Sequence, residues 1–191
     1  MSNQILIFLL DTILGLFSLA LLLRFYFQLL RVPYYNSVSQ FLIAVTDFIV
    51  RPARRIIPGW GGLDLSTLIL AWIFECIIVT SVFLVQGYDF GANIGTASGV
   101  MGLLGIVEII KTTLYILLLM IIMQAVLSWI NPHSPLAPIL DSFTRPFLNV
   151  FRKYIPPIAN VDLSPLFVLI IIQLLLMIVA GVHMEITAML Q

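Results

Sequence analysis

Four apolar runs, roughly 5–30, 65–86, 104–130 and 163–187, are each long enough to cross a bilayer. A transmembrane helix needs about 20 mostly apolar residues. In hydrocarbon every backbone N–H and C=O must find its partner within the segment, so each run is expected to be helical. The composition agrees, with 61% hydrophobic and 9% charged residues, against about 25% charged in a soluble domain. A chain of 191 residues has room for these spans and their connections but not for a large soluble domain besides. The start, MSNQILIFLLDTILGLF, has no basic n-region and no small-residue cleavage site. It reads as a retained span and not as a secretory signal.

The basic residues then orient the spans. Seven of the nine Lys and Arg lie in two connections: Arg31, Arg51, Arg54 and Arg55 in the first, Arg145, Arg152 and Lys153 in the third. The middle connection, QGYDFGANIGTASGVMG, has no basic residue. By the positive-inside rule both basic connections are expected in the cytoplasm, with the two termini and the central loop outward, in an inner (plasma) membrane.

The two basic connections are copies of one another. RRIIPGWGGLDLS at 54–66 returns as RKYIPPIANVDLS at 152–164. At this offset of 98, Arg54/Arg152, Ile57/Ile155, Pro58/Pro156, Asp64/Asp162, Leu65/Leu163 and Ser66/Ser164 are identical, and so are Thr46/Thr144. The chain therefore divides into repeat one at 1–90, a Gly-rich outer linker at 91–103, and repeat two at 104–191. Each repeat crosses twice, so the copies are parallel and not inverted.

Ahead of each copied phrase lies a segment too short to span. In 38–56, Val38, Phe41, Leu42, Val45, Phe48, Ile49 and Ile56 recur at helical spacing. In 139–155, Ile139, Leu140, Phe143, Phe147, Val150, Phe151 and Tyr154 do the same. Basic residues gather on the opposite side, the pattern of an amphipathic helix lying in the interface. Asp47–Arg51 and Asp141–Arg145 are favourable i,i+4 pairs. Pro52 and Pro146 predict a kink or break in each segment. Pro58 and Pro156 then end the segment, and Asp64, Ser66, Asp162 and Ser164 supply N-cap chemistry for the next span. Pro165 adds a proline at the start of the last span.

Two T…P…RRxIP…xDxS patterns, each between two apolar spans, resemble the YggT family of small integral membrane proteins, with bacterial and plastid homologues. The resemblance covers essentially the whole chain, although Phe48 and Val150 replace one proline of the fuller pattern in each copy. It implies an all-α polytopic fold of four spans from a duplicated two-span unit. It also implies a bearing on osmotic and ion homeostasis or on envelope and division processes in bacteria, and on cytochrome b6 haem attachment or nucleoid distribution in plastids. It implies no catalytic residues.

Within the spans, Glu75 falls mid-membrane, where an ionised carboxylate costs several kcal/mol unless paired or hydrated. Gln173 is its repeat equivalent. The pair reads either as a cation or proton site, or as helix glue with a protonated Glu75 bonded to Gln173. Arg24, with Gln124 as its nearest counterpart, reads as a snorkelling residue. A pair with Glu75 is opposed by about 8–10 Å of depth. Glu108 and Lys111 neutralise one another at i,i+3, and His183 with Glu185 opens a weak acidic or metal site beside Glu108. His133 and His183 fall on opposite sides, which excludes a bis-histidine haem within one chain. Gly91, Gly95 and Gly99, followed by Gly102 and Gly105, fit either a close-packed helix face or a re-entrant loop. Cys76, the only cysteine, is read as a small apolar packing residue.

No P-loop, GxSxG, HExxH or dinucleotide fingerprint occurs. The expectation is a non-catalytic membrane scaffold or assembly factor without cofactor, metal or nucleic acid. Its Arg51, Arg54, Arg55, Arg145, Arg152 and Lys153 would meet anionic headgroups, at about 1 kcal/mol each, and other membrane proteins or further copies would be its partners. The competing reading is a small oligomeric cation or proton channel or transporter subunit that uses Glu75.

Overall fold

The structure, a computed structural model, describes residues 2–33, 35–57, 59, 62–88, 94–131, 134–154 and 162–189. Among these residues the chain forms six α-helices: α1 Ser2–Leu29, α2 Ser37–Ala53, α3 Leu65–Val85, α4 Ile94–Ile130, α5 Ala137–Arg152 and α6 Ser164–Ala188. Four of them, α1, α3, α4 and α6, are long and apolar enough to cross a membrane. The short α2 and α5 sit between the two spans of each repeat.

Packing follows the duplication. Helix α1 packs most extensively on α3, α4 on α6, and the repeats join chiefly through α3 and α4. Leu21, Leu22, Ile121, Leu148 and Ile172 are fully buried in the common core. Phe143 of α5 crosses between repeats, with its ring 6.2 Å from those of both Tyr26 and Phe27 on α1.

Glycine decides how closely α3 and α4 approach. Helix α4 is 37 residues long, about 55 Å at 1.5 Å per residue, and it takes up Gly95, Gly99, Gly102 and Gly105 as helix. The close-packed face is not the GxxxG series. A Cβ on Gly95 or Gly99 meets nothing within 4 Å, whereas one on Gly105 lies 2.6 Å from Cys76 Sγ and 3.2 Å from Trp72 Nε1. The same Trp72 Nε1–H donates to the Gly102 carbonyl at 3.0 Å. Gly91 lies outside the described residues.

The breaks expected at Pro52 and Pro146 do not occur, since α2 and α5 run through both. Each proline is exposed, so the backbone bond it removes is lost on the outer side of its helix and not in the core. The apolar stripe of α2 is also divided: Leu42 and Val50 are buried beside Ser39 and Thr46, while Phe41 and Phe48 remain 64% exposed. Asn36 caps α2, its side chain accepting from Ser39 N–H at 2.7 Å.

Gly105→Ala should lower the thermal midpoint in detergent, by an overpacking cost of about 1–3 kcal/mol. Adding Cys76→Ala should recover part of that loss. A Gly105→Ala protein as stable as wild type would show that the α3–α4 contact yields.

Candidate functional site: two arginine–aspartate corners

The copied phrase closes on itself in both repeats. Arg54, just past the end of α2, donates from Nε to Asp64 Oδ2 at 2.7 Å, and its Nη2 bonds the same oxygen. Arg152, the last residue of α5, donates from Nε to Asp162 Oδ2 at 2.7 Å. Ten residues separate acid from base in each copy. The pair ties the end of the short helix to the start of the following span.

The serines complete each corner differently. Ser66 Oγ–H donates to Asp64 Oδ1, whereas Ser164 offers Asp162 Oδ1 its backbone N–H at 2.9 Å. Both serines are fully buried, and among the described residues the Ser164 hydroxyl has no partner. Asp64 occupies the N-cap position of α3 but makes no side-chain cap bond, because its carboxylate is taken by Arg54 and Ser66. Leu163, not Ser164, occupies the cap of α6, with the proline in its first turn. Pro58 and Pro156 lie outside the described residues.

Repeat one adds a clamp. Gln28 of α1 donates to the Gly62 carbonyl at 2.7 Å and accepts from Asp64 N–H at 3.2 Å. Burial alone would raise the Asp64 carboxyl, but the Arg54 and Ser66 hydrogen bonds outweigh it and hold the group below its ordinary value of 3.8. Asp162 shows the same balance: burial raises it, and Arg152 and Ser164 bring it below 3.8.

A second device holds each short helix to the first span of its repeat. Arg24 Nη1 donates to Thr46 Oγ1 at 2.7 Å, and its Nη2 lies 3.2 Å from Asp47 Oδ1. In repeat two Thr144 Oγ1 bonds Gln124 Oε1. Both threonines are buried and also bond back into their own helices, to Leu42 and Leu140. Arg24 therefore turns to α2 and makes no bond with Glu75. The predicted pairs Asp47–Arg51 and Asp141–Arg145 both form. Arg51 and Arg145 remain 79% and 65% exposed, and Arg55 and Lys153 also point outward.

Glu75 and Gln173 are not brought together. Glu75, 5% exposed, accepts from Ser18 Oγ–H of α1 at 2.6 Å. Gln173 is exposed on α6, which packs on α4 and α5. Glu108 bonds Lys111 at 3.0 Å, and His183 Nε2 lies 3.3 Å from the other Glu108 oxygen. Glu185 is exposed, and among the described residues no three His, Cys, Asp or Glu could hold a metal ion. His133 lies outside the described residues. Sequence reading missed Gln28 and Ser18 as partners, since one polar side chain in an apolar run does not announce which helix it faces. The repeated Thr46/Thr144 was a visible signal for the second device.

Asp64→Asn should destabilise the protein by about 1–3 kcal/mol, as it removes a buried charge-assisted acceptor. Asp162→Asn, whose side chain is 36% exposed, should cost about 0.2–1 kcal/mol. Because both folded carboxyls are depressed, their contribution is complete above about pH 4 and is lost as pH falls through their lower folded values. Thermal melts from neutral pH downward should show wild type and Asp64→Asn converging only in that acidic window. Convergence near neutral pH would contradict it.

A family model described as CCB3/YggT matches residues 3–85 and 103–183, one segment over each repeat. A Pseudomonas aeruginosa protein described only as uncharacterised is 35% identical over 93% of this chain and 89% of its own length. YggT of Escherichia coli, also uncharacterised, is 30% identical over 92% of this chain and 89% of its own. The ycf19 protein of the alga Porphyra purpurea is 33% identical over 73 residues, which are 37% of this chain but 77% of that one. Its whole length is thus close to a single repeat. No solved structure matches. With both copies of its doubled corner covered by one family model, this multi-pass membrane protein belongs to the CCB3/YggT family.

Proposed function

We propose that the protein is a non-catalytic membrane scaffold or accessory factor that presents two fixed basic corners to anionic headgroups and to partner membrane proteins. The observation that carries this reading is the double fastening of α2 and α5. Each is tied at its end by an Arg–Asp pair and along its length by a buried threonine. Such helices are rigid parts of the bundle, and their outward Arg51, Arg55, Arg145 and Lys153 form a fixed charged surface. Exposed Phe41, Phe48 and Val150 suit α2 and α5 to lie as amphipathic helices in the interface. The charge bias supports a cytoplasmic side for this surface, with both termini outside an inner (plasma) membrane. The resemblance to the family supports a bearing on osmotic and ion balance or on envelope and division processes.

A second reading keeps one observation of its own. Glu75 is a buried carboxylate in a membrane helix, bonded to Ser18, as an element of a cation or proton path in an oligomer would be. Reconstitution separates the two. The scaffold reading expects no ion flux above empty vesicles. It also expects retention on anionic vesicles that weakens with salt and with combined neutralisation of Arg51, Arg55, Arg145 and Lys153. Flux that Glu75→Gln abolishes would overturn it in favour of the second. A reporter fused at Gln191 should be active outside the cytoplasm, and activity only inside would reverse the topology.

A further inference from the structure

Each repeat has a cavity at the same place, between the end of its first span and the start of its short helix. The repeat-two cavity is lined by Gln124, Leu127, Ser128, Ala137, Leu140 and Asp141. Shifted back by 100 residues on the span and 98 on the short helix, these become Arg24, Phe27, Gln28, Ser39, Leu42 and Ile43. All six line the cavity of repeat one. The two cavities are thus one inherited pocket, and they have diverged in charge and size. The repeat-one pocket adds Arg31 and Arg54 to Arg24 and holds about 340 Å³. Its counterpart has no arginine, gains the Asp141 carboxylate and holds about 150 Å³. Small-ligand sites occupy about 300–1,000 Å³, so only the first is of that size.

The three guanidiniums are not equivalent. Arg24 is held by Thr46 and Asp47, and Arg54 by Asp64, so their positions are set before any ligand arrives. Arg31 is exposed, and among the described residues its side chain has no hydrogen-bond or carboxylate partner. It also adopts a left-handed backbone, φ 53°. Arg31 N–H bonds the Gln28 carbonyl, and Val32 N–H the Phe27 carbonyl. This is the terminating motif of a helix in which glycine is the usual residue. An arginine thus stands where glycine would be conformationally cheaper, and its uncommitted guanidinium lines the pocket. A guanidinium fork fits phosphate oxygens in particular.

We propose that the repeat-one pocket binds one phosphate group, with Arg31 as the ligand-responsive arginine and Arg24 and Arg54 as fixed walls, and that the repeat-two pocket lacks this capacity. The phosphate belongs to an anionic phospholipid headgroup or to a small soluble phosphate. The proposal deepens the headgroup-facing reading above and rests on it for the pocket's place at the membrane surface.

The test uses the full chain in phosphatidylcholine nanodiscs, with and without phosphatidylglycerol, followed by native mass spectrometry of the released protein. Wild type should retain one phosphatidylglycerol, and Arg31→Gln should bind it about tenfold or more weakly. Lys111→Gln, a basic residue of α4 outside the pocket lining, should retain it like wild type. Arg31→Gly should lose the lipid while melting at the same temperature as wild type or higher, which separates lost binding from lost folding. If no lipid is retained but inorganic phosphate raises the melting temperature of wild type and not of Arg31→Gln, the pocket is assigned to a soluble phosphate. Equal lipid retention and equal phosphate response in wild type and Arg31→Gln would overturn the pocket. That result would leave the diffuse attraction of the basic surface intact, which only wild-type indifference to anionic vesicles would remove.

Discussion

An arginine and an aspartate ten residues apart fasten the end of the short helix to the start of the next span in each half of this protein. Where a chain leaves a surface helix and enters a bilayer, the turn exposes backbone groups at a boundary that grows steadily less polar. Fixing that turn through an ion pair at its two ends leaves the intervening residues free to vary, and they do: GWGGL in one copy corresponds to PIANV in the other. In the first copy the turn between the paired residues also uses Gly62 in a left-handed conformation, φ 82°. The buried threonines do complementary work. They set the distance of each short helix from its span, while the Arg–Asp pair sets where that helix stops.

The spans and the duplication were legible because each rests on a one-dimensional signal: apolar length for the first, identity at a constant offset for the second. The partners of the polar side chains were not legible, for a geometric reason. Asp64 and Asp162 stand where a capping residue belongs, and a sequence does not show that an arginine ten residues earlier outbids the helix N-terminus for the carboxylate. Glu75 and Gln173 share a repeat position, but equal positions meet across an axis only when their helices are neighbours, and α3 and α6 share no extensive interface. The glycines misled for a related reason. Four-residue spacing marks one face of a helix, and whether anything covers that face is a tertiary fact. Gly105, outside the GxxxG series, carries the contact because Trp72 and Cys76 lie opposite it. Pro52 and Pro146 passed for breaks because a proline's cost depends on which side of the helix loses its bond.

The two copies are not equivalent. Asp64 is nearly sealed by Gln28 and Ser66, whereas Asp162 stays half open. Arg24 brings a charge to Thr46 where Gln124 brings a neutral amide to Thr144. The scaffold bonds are common to both repeats. The added polar chemistry is concentrated in the first.

That asymmetry gives the parallel arrangement an evolutionary meaning. Two hairpins of the same orientation can be joined end to end by a gene fusion without either half changing its direction of insertion. An assembly of identical single-repeat chains has to carry the same pocket in every copy, so any gain or loss is imposed on all of them at once. Once the copies share one chain, each mutates alone. One cavity can then be small and carry a carboxylate while the other is larger and lined by three arginines, and the fused protein has a front and a back.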